Sequence, residues 1–230
     1  MRFQIAQTIF ELFPQLQIAI AVFSDIDNSE AHPEITAFLH QQEKALKILD
    51  PPSAHPKIAA WREAYRTFGA KPSDYHSSVE ALAKRVAKGD PLPVINPLVD
   101  SYNAISLKYL VPVGGEDLDK IEGDILLTRA TGDEEFIALG EMENRSPKVG
   151  EVVYKDDRGV ICRRFNWREA DRTKFTAQTK NALVVMECLP PTSGEEIEAA
   201  INELAELVQK CCSGTYKTAI LNKTNLLFEL

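Results

Sequence analysis

The stretch SSVEALAKRVAKGDPLPVINPLVDSYNAISL, Ser77 to Leu107, decides how this chain is read. Val79, Leu82, Ala83 and Val86 recur at i, i+3, i+4 and i+7, the spacing of an apolar stripe on one helix face. That pattern predicts a helix over 77–88. Gly89 stops it, because glycine enters the left-handed conformation of a helix C-cap without a steric penalty. Asn96-Pro97 opens another helix: asparagine caps exposed amides, and proline has no N–H to leave unpaired in the first turn. Its apolar face is Leu98, Val99, Tyr102 and Ile105.

Outward from these helices the pattern is mixed. QIAIAVF (17–23) is a short apolar run, the mark of a buried strand. Residues 33–49 read as a helix that turns Ile35, Phe38, Leu39, Ala45, Leu46 and Ile48 inward and stops at Asp50-Pro51-Pro52-Ser53. Residues 57–68 form another, with Ile58, Trp61, Tyr65 and Phe68 available for packing. From about residue 110 strands take over. Asp124–Thr131 and Glu135–Leu139 are expected to pair around Gly132-Asp133. Glu151–Tyr154 and Val160–Phe165 flank the turn Asp156-Asp157-Arg158-Gly159. Ala182–Cys188 is a further strand. Ser193-Gly194-Glu195-Glu196 resembles a capping box and opens a helix carrying Ile197, Ile201, Leu204, Val208 and Cys211 on one face. Thr215–Leu221 returns as a strand. Helices and strands occur at both ends without a long polar linker, which predicts a single α+β domain, central helices packed on a mixed or antiparallel sheet.

The 230 residues are 44% hydrophobic and 26% charged, ordinary values for a globular protein. A chain of this length buries roughly 70% of its unfolded surface and needs no staples. MRFQIAQTIFELFPQLQ makes a poor signal peptide, because Glu11 and Pro14 interrupt its apolar core. No window approaches the roughly 18 apolar residues of a membrane span. The cysteines, Cys162, Cys188, Cys211 and Cys212, make no CxxC pair, so a reduced, cytoplasmic protein is expected.

Several chemistries are set aside. There is no GxGxxG or GxxxxGK[ST] phosphate loop and no GxSxG elbow. His32-Pro33-Glu34 has the HxE of zinc deaminases but lacks the PCxxC that completes their site. His40, His55 and His76 show no HExxH spacing, so neither a metal nor a cofactor is expected.

Net charge is −8, from 26 Lys+Arg and 34 Asp+Glu, which argues against indiscriminate coating of nucleic acid. Its distribution says more. Residues 116–143 hold ten acidic and two basic residues, the whole deficit. Residues 57–88 hold seven basic and three acidic, and 141–180 hold ten and seven. These basic stretches either meet on one face to hold a phosphate backbone or form solvated local pairs, as Glu80, Lys84 and Lys88 do at i, i+4 spacing.

The segments WREAYRTFGAKP (61–72), SSVEAL (77–82), LPVINPLVDSYNAISL (92–107), PVGGEDLD (112–119), GEVVY (150–154) and RFNWR (164–168) form an ordered series. Over roughly residues 55–190 the chain is similar to free-standing relatives of the B-three/B-four editing domain of the phenylalanyl-tRNA synthetase β subunit. The resemblance implies an α+β fold that binds tRNA, and specifically its aminoacylated 3′ end with the amino-acid moiety. It also implies hydrolysis of a mischarged ester in trans, without ligase activity. An aminoacyl ester is already activated, so a positioned water and a polarised carbonyl suffice. The alternatives are a non-catalytic tRNA- or amino-acid-binding module and a small-molecule hydrolase.

His76 and Asn103 are the catalytic candidates. Asn103 lies at the margin of the Leu98/Tyr102/Ile105 stripe, where a side chain can face a pocket. His76 departs from the arginine that relatives commonly place there; histidine can act as a base, whereas arginine only binds. The binding candidates are Asn96, Gly114, Gly115, Arg164, Asn166, Trp167 and Arg168. Asn96 is equally a helix cap. Gly114-Gly115 let backbone amides approach a carboxyl or phosphate oxygen. Arg163 and Arg164 alternate faces, so at most one points into a given groove. Trp167 can stack on a base, and Arg168 with Arg172 fits an exposed helical face instead. Trp61 belongs to the core.

Overall fold

The computed structural model describes residues 1–46 and 51–230, so Ile48 and Asp50, read above as a helix end and its stop, lie outside the described residues. The first elements are β1 (Arg2–Ile5), α1 (Gln7–Leu12) and β2 (Gln17–Ser24). Helices α2 (Pro33–Leu46), α3 (Pro56–Thr67), α4 (Ser78–Ala87) and α5 (Pro97–Tyr109) follow. Next come β3 (Val113–Asp117), β4 (Ile125–Arg129), β5 (Val152–Lys155), β6 (Val160–Arg163), β7 (Arg168–Glu169) and β8 (Ala182–Cys188). The last are α6 (Gly194–Cys212), β9 (Thr215–Leu221) and β10 (Leu227–Glu229).

The strands make two sheets, ordered β10-β1-β4-β5-β6-β7 and β3-β8-β2-β9. β2 is antiparallel to both β8 and β9. Side chains alternate across a strand, so Ile18, Ile20 and Val22 pack with Phe3, Ile125 and Tyr154 of the larger sheet. Ala19, Ala21 and Phe23 pack instead with Leu98 and Ile105 of α5 and Ile201 and Leu204 of α6. Burial on both faces is why QIAIAVF reads as an unbroken apolar run. Leu39, Val79, Ala83 and Ala104 tie α2, α4 and α5 together. The fold is α+β, with α2, α5 and α6 on one face of the smaller sheet and the larger sheet, together with α1 and α3, against the other.

The helix grammar is realised atom by atom. Asn96 Oδ1 accepts from Val99 N at 3.0 Å and Ser193 Oγ from Glu196 N at 3.1 Å. Gly89, at φ +85°, follows the end of α4.

Some expectations change. Residues 135–139 form no strand paired with β4. The Glu134 carboxylate accepts from Thr131 N and Gly132 N, both at 2.9 Å, and holds a tight turn. The free edge of β4 goes to β5 instead, with Leu126 opposite Lys155. Phe136 and Ala138 then pack on Val153 and Val160, joined to the rest by isolated bridges. The strand expected over 160–165 ends at Arg163, because Arg164 and Phe165 take left-handed φ values of +49° and +66°. The strict alternation of Arg163 and Arg164 fails there. Arg168 lies in β7, not on a helix, and Ala45 is exposed on α2 rather than inward.

Candidate functional site

A cavity of about 470 Å³ opens between the two sheets beside α4 and α5. Register explains its lining. Gly114 lies opposite Val185 and Glu116 opposite Leu183, so β3 and β8 present these four residues on the face turned toward the larger sheet. Phe3, Ile125, Tyr154 and Ile161 come from across the gap, and Ser78, Leu82, Tyr102 and Asn103 come from the helices.

Seven of the nine site candidates meet here: His76, Asn103, Gly114, Gly115, Asn166, Trp167 and Arg168. Asn96 does not; its side chain is the α5 cap. Arg164 does not either. It is buried, 3.4 Å from Glu151, with its guanidinium 3.8 Å from the Tyr75 ring centre and 4.5 Å from that of Trp167. It braces Trp167 from behind. Trp61 is core, edge-on to Phe165 at 5.1 Å.

The hydrogen bonds refine each candidate. Lys84 Nζ lies 2.7 Å from His76 Nε2. Lysine has only donors, so that nitrogen must accept and the ring is held neutral. Burial lowers the His76 pKa, which Glu80 opposes and Lys84 reinforces. The Gly115 amide donates to Glu169 Oε1 at 3.0 Å, a carboxyl of its own chain. A side chain at 114 would place Cβ 2.6 Å from that same oxygen, so glycine there makes the approach feasible. Asn166 Oδ1 accepts from the Tyr65 hydroxyl at 3.0 Å, while its Nδ2 is buried without a partner.

Three carboxyls in the cavity, Glu116, Glu169 and Glu187, escaped the sequence reading. Burial pushes Glu169 up to about 7 and Glu187 up to about 8. It raises Glu116 well above the carboxylate range, and neighbouring Glu169 raises it further. The Tyr154 hydroxyl donates to Glu187 Oε1 at 2.9 Å. Glu187 did leave a signal: it is a lone acid in ALVVMEC, on the same strand face as Leu183 and Val185. Glu116 left none, since it lies in an acidic block that reads as solvated surface.

A family model for the B3/4 domain matches residues 60–213. The chain belongs to the B3/4 domain family. The phenylalanine–tRNA ligase beta subunit of Fusobacterium nucleatum subsp. nucleatum is 33% identical over 110 residues, which is 48% of this B3/4 chain and 13% of that protein. An N-terminal fragment of the phenylalanyl-tRNA synthetase beta-subunit from Pyrococcus horikoshii is similar at a TM-score of 0.49 and 16% identity. That likeness covers 93% of this chain and 49% of the other. The chain thus spans a small part of the curated relative's length and about half of the solved one's.

Two other charge features of this B3/4 chain bear on its chemistry. Much of the basic stretches is spent internally: Arg62 and Lys84 on Glu80, Arg163 and Arg164 on Glu151, Arg172 on Asp156. His32, Glu34 and Cys211 bring possible metal-ligating atoms within 4.8 Å of one another, a grouping the spacing did not predict. Glu34 is already engaged by Lys210. Among the described residues no helix is long and apolar enough to cross a membrane.

Proposed function

We propose that this chain binds the aminoacylated 3′ end of a tRNA in the cavity and hydrolyses the ester of a wrongly attached amino acid, working in trans in the cytoplasm. The observation that carries the reading is the convergence of seven sequence candidates on one cavity between the sheets. Its size suits an amino-acid side chain with part of a nucleoside. The curated relative is a phenylalanine–tRNA ligase beta subunit, which favours a tRNA ligand here.

The roles follow from chemistry. Asn103, nearly buried on α5, offers an amide to polarise the ester carbonyl. Glu169, with a pKa of about 7, is poised to take a proton from the attacking water; general bases contribute about 10²–10⁴-fold. His76 can serve as that base only after releasing Lys84. Trp167 and exposed Arg168 at the rim supply a stacking face and a cation for the terminal nucleotide.

The internal pairing of the arginines favours a second reading, a non-catalytic module that binds the amino-acid part. A screen of deacylation over correctly and incorrectly charged tRNAs separates them. Ester hydrolysis is expected on at least one mischarged species, and Asn103→Ala should slow it by about 10²-fold while tRNA binding persists. Inactivity across the whole panel with tRNA binding intact would overturn the enzyme reading. Activity on free amino-acid esters without any tRNA binding would favour a small-molecule hydrolase.

A further inference from the structure

Helix α4 does more than wall the cavity. Ser78, Ala81 and Leu82 line it, at the i, i+3 and i+4 positions of one helix face. The i+7 position of that stripe is Arg85, an exposed residue about 10 Å further along the axis than Ser78, at about 1.5 Å per residue. Val79, Ala83 and Val86 turn into the core, which fixes the rotation of the helix and keeps Arg85 on the cavity side. Exposed Lys88 follows Arg85 at i+3.

These two cations have no partner acid. Lys84, on the adjoining face, is held by Glu80, but neither Arg85 nor Lys88 makes a salt bridge among the described residues. The helix offers them none: the neighbours of Arg85 at three- and four-residue spacing are Ala81, Leu82, Lys88 and Gly89, and those of Lys88 on α4 are Lys84 and Arg85. Asp90, just past the helix, pairs with neither among the described residues. A helix C-terminus favours a nearby cation, a need that Lys84 already meets. Arg85 Nε donates to the Pro91 carbonyl at 2.9 Å, which anchors the side chain and leaves its two Nη groups for a bidentate partner such as phosphate. At the other end of the stripe, Ser78 Oγ is buried on the cavity wall without a partner.

From the inside outward the stripe offers a free hydroxyl, an apolar side chain and a guanidinium, an order that suits the ribose, base and phosphate of a nucleotide strand. Its length equals about three stacked nucleotide steps of about 3.4 Å. A free amino acid within the cavity would not reach Arg85, which lies outside the lining; a ligand with anionic groups strung beyond the mouth would use the whole stripe. We propose that α4 is the track along which a single-stranded RNA 3′ end leaves the cavity, its phosphates held by Arg85 and Lys88. The proposal rests on the tRNA reading of the cavity, but not on hydrolysis.

Filter binding of uncharged bulk tRNA to the full chain, over a range of salt concentrations, tests the track. Arg85→Gln/Lys88→Gln is expected to flatten the slope of log K against log salt by about 1.4, two single-strand contacts at about 0.7 each. An unchanged slope would overturn the track and leave the tRNA reading standing, whereas a wild type that binds no tRNA would overturn both. Lys148→Gln/Lys180→Gln removes the same charge elsewhere on the surface and should keep the wild-type slope. An equal flattening there would mean that diffuse charge holds the RNA, and would overturn the proposal. Arg85→Lys keeps the charge without the guanidinium fork and should keep the slope as well; a flattened slope would trace the effect to the contact with Pro91 and count against the track. With tRNA trimmed of its last three nucleotides, wild type and double variant should bind alike. A difference that survives trimming would place both cations on the duplex and overturn the assignment. If the double variant fails to fold by circular dichroism, Lys88→Gln alone carries the test, with an expected flattening of about 0.7.

Discussion

Glu187 has the Tyr154 hydroxyl on one carboxyl oxygen and nothing on the other, and burial pushes it up to about 8. In an unfolded chain it titrates near 4.5. The folded state therefore keeps its proton where the unfolded state loses it. Its stabilising contribution is complete below about pH 4.5 and is lost as the pH climbs to about 8. Glu169 acts in the same direction up to about 7. Glu187→Gln keeps the acceptor for Tyr154 and removes the ionisation. Its melting temperature relative to wild type should rise between pH 5 and pH 8 by at least about 4 °C, at 2–4 °C per kcal/mol for a chain of this size. An offset that stays constant across those two pH values would contradict the assignment. Legibility at this scale was uneven. Asn96 before Pro97 carries its capping role in its own sequence. His76 did not disclose that Lys84 occupies its ring nitrogen, although the eight-residue separation is local, because both side chains had to turn to the same side of α4.

The β5–β6 hairpin shows what an element can carry. Asp156 Oδ1 accepts from Arg158 N and Gly159 N at 3.0 and 3.1 Å, closing the turn that DDRG advertises. Across the hairpin Arg163 binds Glu151 through Nε and Nη2 at 2.7 and 2.9 Å, and its Nη1 reaches the Arg145 carbonyl at 2.6 Å. Both side chains are buried. Arg163→Met leaves Glu151 charged in the interior with only Arg164 nearby, and should cost about 3 kcal/mol in denaturant unfolding. The Arg163→Met/Glu151→Met double variant should cost less, since no charge is then stranded. Equal losses would mean the pair acts through packing instead. Alternation and turn chemistry made this hairpin readable in advance. They misplaced 135–139, because a period-two pattern does not say which partner strand claims an edge.

Across the whole molecule, charge changes meaning once it is placed. The basic stretches at 57–88 and 141–180 read as a possible phosphate face, yet five of their cations are paired with buried Glu80, Glu151 and Asp156. Seven more make salt bridges with other acids, which leaves Arg85, Lys88, Lys148, Arg168 and Lys180 without one among the described residues and so most available to release counterions from an RNA. If the chain binds tRNA, the slope of log K against log salt should be shallow, no steeper than about −3 for about four contacts to single-stranded phosphates. Filter binding across a range of salt concentrations measures it. A slope twice as steep would mean that an extended basic surface, rather than the cavity rim, holds the RNA.

The sequence by itself determined the α+β class, the helices with their caps, the doubly buried β2 and a motif series of family grade. All of these are written in periodicity, capping and turn chemistry, which act over a few residues. It also nominated seven residues that meet at one cavity. Tertiary structure alone decided that Glu116, Glu169 and Glu187, spread over some seventy positions, share that cavity, with no salt bridge to any of them among the described residues. It likewise decided that Arg164 braces Trp167 from behind instead of reaching a ligand. Whether a charge is buried, and beside what, depends on how β3, β7 and β8 are brought together, and no local pattern encodes that distance.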